Sequence, residues 1–466
     1  MKITISDFGP IKKFEFDLDK DFIATYGKNN IGKSYAMQVV YLLLKNILGV
    51  VSSNYIFDFY KLISDNENEI LSGIYALLDE NDKDVDITDK INSIVENKLE
   101  SVIGTILNTS YMNTFGDLSY LGGKDKSRKP RINIAFNHYN LDITIDDEVS
   151  FKNFNIRKKV FARSFQSHIS IEEIRKDTSC HYSIRPEDIS SKINEIAVQE
   201  MYGFFWAIKE HISDVYFLPA SRSGIYSGMS AFGQIIAELS KNRSMLTKKI
   251  ELPGISEPIS DYFISLSNIS QISLNLLQSD VAAIAKEIET KILKGEVRFD
   301  DNKKTLMYKP SNLDIELEMS SVSSMVSEMT PIVAFLKYIL SKSKGDTKAK
   351  PIIFIEEPEA HLHPENQTKL IEIFAKLINY DVKLIMTSHS NYIFNKLNNL
   401  VMAKKLDIDR YCPIILAQTE EGSVSRLMDI DELGVNDENF VDVSEALYEE
   451  REEIIEQINL GVEPVI

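Results

Sequence analysis

The spacing of apolar residues predicts an α/β organisation for the first part of the chain. Residues 3–5 and 14–18 have the pattern of short strands on either side of a Gly-Pro turn. Residues 22–26 form a third apolar run, and residues 34–44 after it have the periodicity of a helix. Residues 131–162 predict a small antiparallel sheet.

Two apolar runs in the second half of the chain end in polar groups. Residues 352–355 lead into Glu-Glu-Pro-Glu at 356–359, and residues 383–387 lead into Ser-His-Ser at 388–390. Short continuous apolar runs are typical of parallel strands that are buried on both faces. Ligands of open α/β sheets bind at the carboxyl ends of such strands, so we expect both polar groups at a ligand site.

Residues 27–34, Gly-Lys-Asn-Asn-Ile-Gly-Lys-Ser, fit the P-loop pattern of a glycine, four residues and Gly-Lys-Ser. Glycines let the backbone curl so that its N–H groups converge on phosphate oxygens. A chance match in a glycine turn is the alternative, but the strand before the loop and the helix after it favour nucleotide binding. The expected nucleotide ligands are Gly27, Asn29, Asn30, Ile31, Gly32, Lys33 and Ser34.

The chemistry of ATP hydrolysis assigns roles to individual side chains. Lys33 is expected to neutralise the β- and γ-phosphates, and the Ser34 hydroxyl to ligate Mg²⁺. Glu356 is expected to hold Mg²⁺ through water, and Glu357 to polarise the attacking water as general base. His389 is the candidate γ-phosphate sensor. An acidic surface turn and an ordinary strand-to-helix turn are the alternatives, which a neighbouring P-loop disfavours.

Two other groups of polar residues have less specific patterns. Arg222 lies in a loop of small residues after a predicted strand, where it could meet a phosphate or a partner subunit. An ordinary solvated arginine is the alternative. His361 and His363 do not share a helix face and no third ligand is evident, so a metal site is not favoured there. Pro364 is expected in the first turn of the helix that follows.

Composition limits the class of protein. The 466 residues suit two lobes or one domain with large insertions. Of the net charge of −18, the segment 419–466 carries −13, so the rest is only mildly acidic and has no overall basic footprint for nucleic acid. Two cysteines without metal-ligand spacing, no apolar run of membrane-spanning length and no signal peptide predict a cytoplasmic protein.

Taken together, these motifs resemble the soluble ATP-binding-cassette ATPases of the SMC/RecF/OLD type. The matching stretches are residues 5–11, 27–34, 355–364 and 387–390, and residues 217–224 look like a subfamily hallmark. The chain is similar to the ATPase subunits of the prokaryotic defence systems Septu and PARIS. The resemblance implies ATP and Mg²⁺ as ligands. It also implies a role as sensor or gate in antiphage defence, with a separately encoded effector in trans.

The resemblance also implies a domain organisation. An ABC-type P-loop NTPase head with a mixed sheet is expected from residues 1–40 and 215–430. Residues 41–214 are expected as a large helical insertion with a small antiparallel β part, and residues 431–466 as an acidic helical tail. The tail helix, about residues 441–458, is expected either to dock the effector or to pack on the protein.

ATPases of this type close over ATP with a signature loop from a second subunit. Residues 320–328 match it best, before an apolar helix over 332–340. The resemblance implies a homodimer or higher oligomer in which Ser323 or Ser324 contacts the γ-phosphate of the partner. Met325 stands where glycine is expected, and it could crowd that approach.

Three alternatives stay open on the sequence. The first is a DNA-repair or recombination ATPase that clamps DNA on a basic surface. The basic stretch 122–130 could contact phosphates, but a solvated surface loop is the favoured interpretation of that stretch. The second is a nuclease that uses Asp429 and Asp431, although too little chain follows residue 400 for a Toprim domain. The third is a scaffold that binds ATP with little turnover, which Met325 makes credible.

Overall fold

A computed structural model describes most of the chain. The described residues are 1–52, 84–122, 128–164, 180–184, 189–228, 254–269, 279–303, 305–340, 348–436 and 441–459. The apolar spacing of residues 56–78 predicts helix, and that segment lies outside the described residues.

An eleven-stranded mixed sheet forms the centre of the described structure. Its strands are β1 (Lys2–Phe8), β2 (Ile11–Asp17), β3 (Phe22–Tyr26), β5 (Arg131–Phe136), β6 (Tyr139–Ile145), β7 (Val149–Ile156), β10 (Ile212–Leu218), β14 (Lys350–Glu356), β15 (Lys383–Thr387), β16 (Tyr411–Thr419) and β17 (Gly422–Leu427). Their order across the sheet is β10-β14-β15-β3-β16-β17-β2-β1-β5-β6-β7.

Three smaller sheets accompany the large one. They contain β4 (Val85–Asp86), β8 (Val160–Ser164) and β9 (Cys180–Ile184); β11 (Gly295–Asp300), β12 (Thr305–Pro310) and β13 (Leu317–Glu318); and β18 (Ile430–Asp431) and β19 (Gly434–Val435).

Five neighbouring strands of the large sheet are parallel. Strand β10 pairs with β14, β14 with β15, β15 with β3, and β3 with β16, each in parallel register. Because parallel strands end at the same edge, the loops after β3, β10, β14 and β15 all lie at one end of the sheet. The predicted strands 22–26, 352–355 and 383–387 are confirmed within this parallel half.

Helices cover both faces of the sheet. They are α1 (Lys33–Ser52), α2 (Thr88–Leu99), α3 (Thr105–Phe115), α4 (Ile189–His211), α5 (Glu257–Ser267), α6 (Asp280–Ile288), α7 (Ser324–Ala334), α8 (Pro364–Leu377), α9 (Asn391–Met402) and α10 (Val441–Asn459). In β3, Ile23 contacts the core that contains α1, whereas Phe22 and Ala24 contact the opposite core under α7, α8 and α9. This alternation buries both faces of the strand.

The small sheet expected over residues 131–162 is not a separate unit. Strand β5 pairs antiparallel with β1 and continues the large sheet through β6 and β7, while β8 joins β4 and β9. Ile132 and Ile134 lie opposite Ile5 and Ile3, so both strands bury the same face. Pairing with β1, more than a hundred residues away in the chain, leaves no local sequence signal. The wider division into head, insertion and tail stays a prediction.

Helix α1 corrects the expectation about membrane-spanning length. By length and mean hydropathy alone, this 20-residue helix could cross a membrane, and it is the one such helix in the described part of the chain. However, 72% of its most apolar window is buried inside the protein. Its apolar character is therefore that of a core helix.

The helix after the signature residues begins earlier than expected, and the described part of the tail helix is largely exposed. The helix expected over 332–340 begins at Ser324, so the signature residues form its first turn, and a π-helical turn, Phe335–Ile339, follows it. The tail helix is confirmed as α10, and residues 446–459 are exposed except for Ile454 and Gln457, which are half-buried. Packing of this part of α10 on the protein is therefore not observed.

Candidate functional site

The P-loop connects β3 to α1 with a tightly curled backbone. Gly27 has a φ of +139° and Gly32 a φ of +101°, in the region where side chains are strained. A Cβ at Gly27 would lie 2.5 Å from the Leu416 carbonyl oxygen, and one at Gly32 would lie 2.8 Å from Ile11. The N-terminus of α1 at Lys33 completes a concave anion site. This geometry fits a bound phosphate chain.

The Lys33 side chain lies inside this curl. Its Nζ donates to the Gly27 carbonyl at 3.0 Å and to the Lys28 carbonyl at 2.6 Å. Burial lowers the pKa of Lys33 to about 8, although Glu357 and Glu359 act in the opposite direction. A buried ammonium beside two carboxylates is suited to neutralising added phosphate charge.

Glu356 ends β14 next to the first turn of α1. Its side chain is buried, and Oε2 accepts a hydrogen bond from the Ala220 N–H at 3.2 Å. Oε1 has no hydrogen-bond partner in the described structure. Burial raises the pKa of Glu356, and the Ser34 hydroxyl and the Ala220 N–H act against that rise. A buried carboxylate oxygen with no partner beside a serine hydroxyl is the donor set that Mg²⁺ prefers.

Glu357 and His389 face each other at the mouth of the site. The Glu357 Oε1 lies 3.7 Å from the His389 Nε2, and both side chains are partly exposed. Glu357 has a φ of +41° and its N–H donates to the Thr387 carbonyl at 3.1 Å. Burial and the charge of Lys33 lower the pKa of His389, whereas Glu357 and a hydrogen bond with the Gly27 backbone raise it. The structure thus brings the predicted base and sensor together beside the P-loop.

Glu359 is a site residue that the sequence analysis did not identify. Its Oε1 accepts hydrogen bonds from the Ser388 hydroxyl at 3.0 Å and from the His389 N–H at 2.6 Å. Its Oε2 is buried and has no partner among the described residues. Burial raises the pKa of Glu359. The sequence did contain a signal for this residue. A third acidic residue stands two positions after Glu357, and a solvated turn does not require one there.

The expectation for Arg222 is wrong. The side chain is fully buried and meets protein carbonyls and Glu328, so it is not placed to bind a phosphate or a partner subunit directly. The loop after β10 turns inward because Ser221 has a φ of +54°, and Ile225 bonds back to Ser221. The sequence of a loop with one arginine among small residues does not indicate whether that side chain turns into the protein or towards solvent.

The signature residues lie at the exposed start of α7. Ser323 is the N-cap with extended backbone angles, and Ser324 is the first helical residue. Both are exposed. Met325 is half-buried against the core under α7, and its sulfur lies 3.2 Å from the Asn366 Nδ2. The methionine therefore turns towards α8, while the two serines stay at the surface.

The other candidate metal residues do not form a site in the part of the chain that the structure describes. No group of three or more His, Cys, Asp and Glu side chains there could hold a metal ion. His363 caps α8, since its Nδ1 accepts from the Glu365 N–H at 3.3 Å, and Pro364 is the first residue of that helix. Asp429 and Asp431 thus have no cluster of ligands around them among the described residues.

A P-loop and the carboxylates of a neighbouring parallel strand define a P-loop ATPase whose site lies at the edge of a mixed α/β sheet. The chain belongs to the AAA ATPase domain family, whose profile matches residues 1–394.

Solved structures that are similar to the chain are SMC heads. One is an SMC head bound to the C-terminal winged-helix domain of ScpA, with 12% identity, coverage of 92% of this chain and 97% of that chain, and a TM-score of 0.41. A second is the SMC head domain from Thermotoga maritima, with 9% identity, coverage of 92% and 98%, and a TM-score of 0.35.

A third is an SMC head with an extended coiled coil from Pyrococcus furiosus, bound to the C-terminal domain of ScpA, with 11% identity, coverage of 97% and 98%, and a TM-score of 0.38. All three TM-scores are below 0.5, so no functional inference rests on them. A search of curated proteins found no relative.

Proposed function

We propose that this ATPase binds ATP with Mg²⁺ at the P-loop and hydrolyses it to ADP and phosphate. The observation that carries the proposal is the convergence of Lys33, Glu356 and Glu357 at one edge of the sheet, with a free carboxylate oxygen on Glu356. Such an oxygen is costly to bury unless a ligand satisfies it. The carboxyl edge of the parallel strands is thus built for a charged ligand.

Each side chain has one role in this proposal. Backbone N–H groups of residues 27–34 and the Lys33 ammonium hold the phosphates. Ser34 and Glu356 would hold Mg²⁺, which supplies positive charge against the phosphate oxygens when bound. Glu357 accepts the proton of the attacking water, and its partial exposure keeps it open to that water. His389, whose Nε2 lies 3.7 Å from the Glu357 Oε1, would sense the γ-phosphate.

The protein would act as a homodimer or higher oligomer that senses or gates. Ser323 and Ser324 are exposed at a helix N-terminus, which favours an anion, and they are free to meet the γ-phosphate of a partner subunit. ATP binding would then close the dimer and hydrolysis would reopen it. Because Met325 turns towards Asn366, it leaves that approach clear.

Turnover and oligomeric mass, measured with and without ATP, test the proposal. Glu357→Gln should leave ATP affinity unchanged and lower kcat by about 100-fold or more, because the water loses its base. It should also trap the ATP-bound dimer. Glu365→Gln, the same change on the exposed side of α8, should leave kcat unchanged. Turnover that Glu357→Gln does not alter would show that the base lies elsewhere. Tight binding without turnover in the natural chain would point to a scaffold.

The proposed setting is antiphage defence in the cytoplasm with an effector protein in trans, and α10 is the surface that suits the effector. Residues 441–459 contain seven acidic residues and one basic residue, and the apolar side chains of Leu447, Ile455 and Ile458 are exposed. An unpacked acidic helix with exposed apolar residues suits a partner with an apolar groove and a basic rim.

Phage protection tests this surface in a bacterial host that carries the gene with its chromosomal neighbours. Leu447→Glu combined with Ile458→Glu should abolish protection and leave ATP turnover unchanged. Glu452→Gln alone, a mild change on the same helix, serves as control. Full protection by the double variant would exclude α10 as the docking surface. An absence of protection by the natural genes would remove the defence setting and leave the ATPase proposal intact.

A DNA clamp receives no specific support. Arg128 donates to the Glu421 carbonyl at 3.2 Å and Lys129 pairs with Asp146, so these two residues of the basic stretch are already engaged within the protein. Residues 123–127 of that stretch lie outside the described structure. ATP-dependent binding of duplex DNA that weakens steeply with salt would restore this alternative.

A further inference from the structure

Arg222 makes a set of contacts that none of the proposed catalytic steps uses. Its Nη1 donates to the carbonyl oxygens of Pro219 at 3.1 Å and Glu356 at 2.8 Å, and its Nη2 donates to that of Glu357 at 3.3 Å. Its Nε lies 3.4 Å from the Glu328 carbonyl oxygen and 3.5 Å from the Glu328 Oε2. The guanidinium therefore holds the backbone carbonyl groups of both the proposed Mg²⁺ ligand and the proposed general base.

Glu328 connects this guanidinium to α7. Its Oε1 accepts from the Ser223 hydroxyl at 2.6 Å and from the Ser223 N–H at 3.3 Å. It lies one turn after Ser324, and the Ser327 N–H donates to the Ser323 carbonyl at 2.9 Å, which ties that turn together. The side chains of Arg222 and Glu328 are 0% and 2% exposed, so water does not replace these contacts.

We propose that the Arg222–Glu328 pair couples the start of α7 to the loop that carries Glu357. Contact of Ser324 with the ATP of a partner subunit would thereby position the general base of its own subunit. This inference rests on the proposed dimeric ATPase. It assigns a positioning role to the Arg-containing loop after β10, and that role explains why the arginine is buried.

The backbone at Glu357 gives the coupling its physical basis. With a φ of +41°, this residue needs its surroundings to hold it in place. The planar guanidinium donates several N–H groups in fixed directions. A displacement of Glu328 that moves the guanidinium would therefore move all the carbonyl groups that the guanidinium contacts together. A helical turn transmits such a displacement without absorbing it. A lysine at position 222 would keep the charge and lose the fixed geometry.

Glu328→Gln tests the pair because it keeps the Oε1 that Ser223 bonds and removes the charge opposite Arg222. The control is Glu289→Gln, which changes another buried ion pair, where Oε1 accepts from the Lys337 Nζ at 3.0 Å and from the Val297 N–H at 2.8 Å. We expect Glu328→Gln to lower kcat about tenfold while ATP affinity stays within about twofold.

Glu289→Gln should change neither kcat nor ATP affinity, even where both variants lose a similar amount of thermal stability. Arg222→Lys is the second variant and should also lower kcat without lowering ATP affinity. If Glu328→Gln and Arg222→Lys both keep the kcat of the control, the proposal is wrong.

A double-mutant cycle separates the coupling from the proposed function. Ser324→Ala should lower kcat in the natural chain and have a smaller effect in the Glu328→Gln background, because the path is already broken. Equal effects of Ser324→Ala in both backgrounds would overturn the coupling and leave the dimeric ATPase standing. No effect of Ser324→Ala in either background would instead contradict the contact across the dimer.

Discussion

The two ends of the parallel strands both contain buried carboxylates, but these carboxylates have different surroundings. At the amino end, Asp21 precedes β3 and meets three cations. It accepts from the Lys350 Nζ at 3.0 Å and from the Arg410 Nε at 2.7 Å, and the Lys383 Nζ lies 3.3 Å away. Burial alone would raise the pKa of Asp21, but these cations outweigh it and hold the pKa below its usual value.

At the carboxyl end, the carboxylates outnumber the cations that meet them. Glu356 and Glu359 each have a buried oxygen without a hydrogen-bond partner in the described structure, and burial raises the pKa of both. Lys33 is held by P-loop carbonyls and not by either acid. The Asp21 carboxylate at the amino end is fully paired and stabilises the fold. The carboxyl end is incomplete without a ligand, which is the physical sign of a binding site.

Removal of one lysine from each end should give the largest contrast. Lys33→Ala should lower ATP affinity by roughly 100-fold or more, because the phosphates lose their buried counter-charge. Lys383→Ala removes a lysine that is also buried and should leave ATP affinity unchanged, with some loss of stability. Isothermal titration calorimetry with ATP and Mg²⁺ measures both. Equal loss of affinity in the two variants would mean that binding depends on general stability and not on the P-loop.

Neutralisation of one acid at each end should change stability in opposite directions. Asp21→Asn should lower the free energy of unfolding by about 3 kcal/mol, because it leaves buried cations without their partner. Glu359→Gln should keep or raise stability, since it removes a buried charge whose second oxygen has no partner. Chemical denaturation at pH 7 without nucleotide measures both.

The pH dependence gives a further check on the Glu359 variant. A raised pKa means that the folded state takes up a proton more readily than the unfolded chain, so protonation relieves the cost of the buried charge as the pH falls. Any gain in the free energy of unfolding that Glu359→Gln gives at pH 7 should therefore shrink as the pH falls towards 5. A marked loss of stability in Glu359→Gln at pH 7 would contradict the view that this carboxylate is unsatisfied.

The pH dependence of ATP affinity should be a smaller effect than the loss of affinity in Lys33→Ala. With the pKa of Lys33 at about 8 in the free protein, the ammonium loses its proton as the pH rises above that value. Affinity should therefore fall by up to about tenfold per pH unit above pH 8. Lys383→Ala should keep the same profile, because Lys383 lies at the other end of the sheet. A flat profile from pH 7 to pH 9.5 would show that Lys33 stays charged throughout.

Local signals in the sequence were sufficient for the elements that present the site. The glycines of residues 27–34 require unusual backbone angles, and the apolar runs 352–355 and 383–387 require burial on two faces. Each of these requirements depends on a few neighbouring residues. The sequence was therefore sufficient to locate the P-loop and its strand, and also the two strand ends that bear the acids and the histidine. The roles assigned to these side chains stay predictions.

Local patterns of residues were sufficient to locate the curled P-loop, the buried strands and the acidic C-terminal segment. Three features become visible only in the folded chain: β5 extends the large sheet, Arg222 turns inward, and Glu359 holds the His389 backbone. These outcomes depend on contacts between residues far apart in the chain, as between Arg222 and Glu328 or between β1 and β5. A long-range contact forms where two surfaces meet in the folded chain, and no local pattern of residues encodes that meeting.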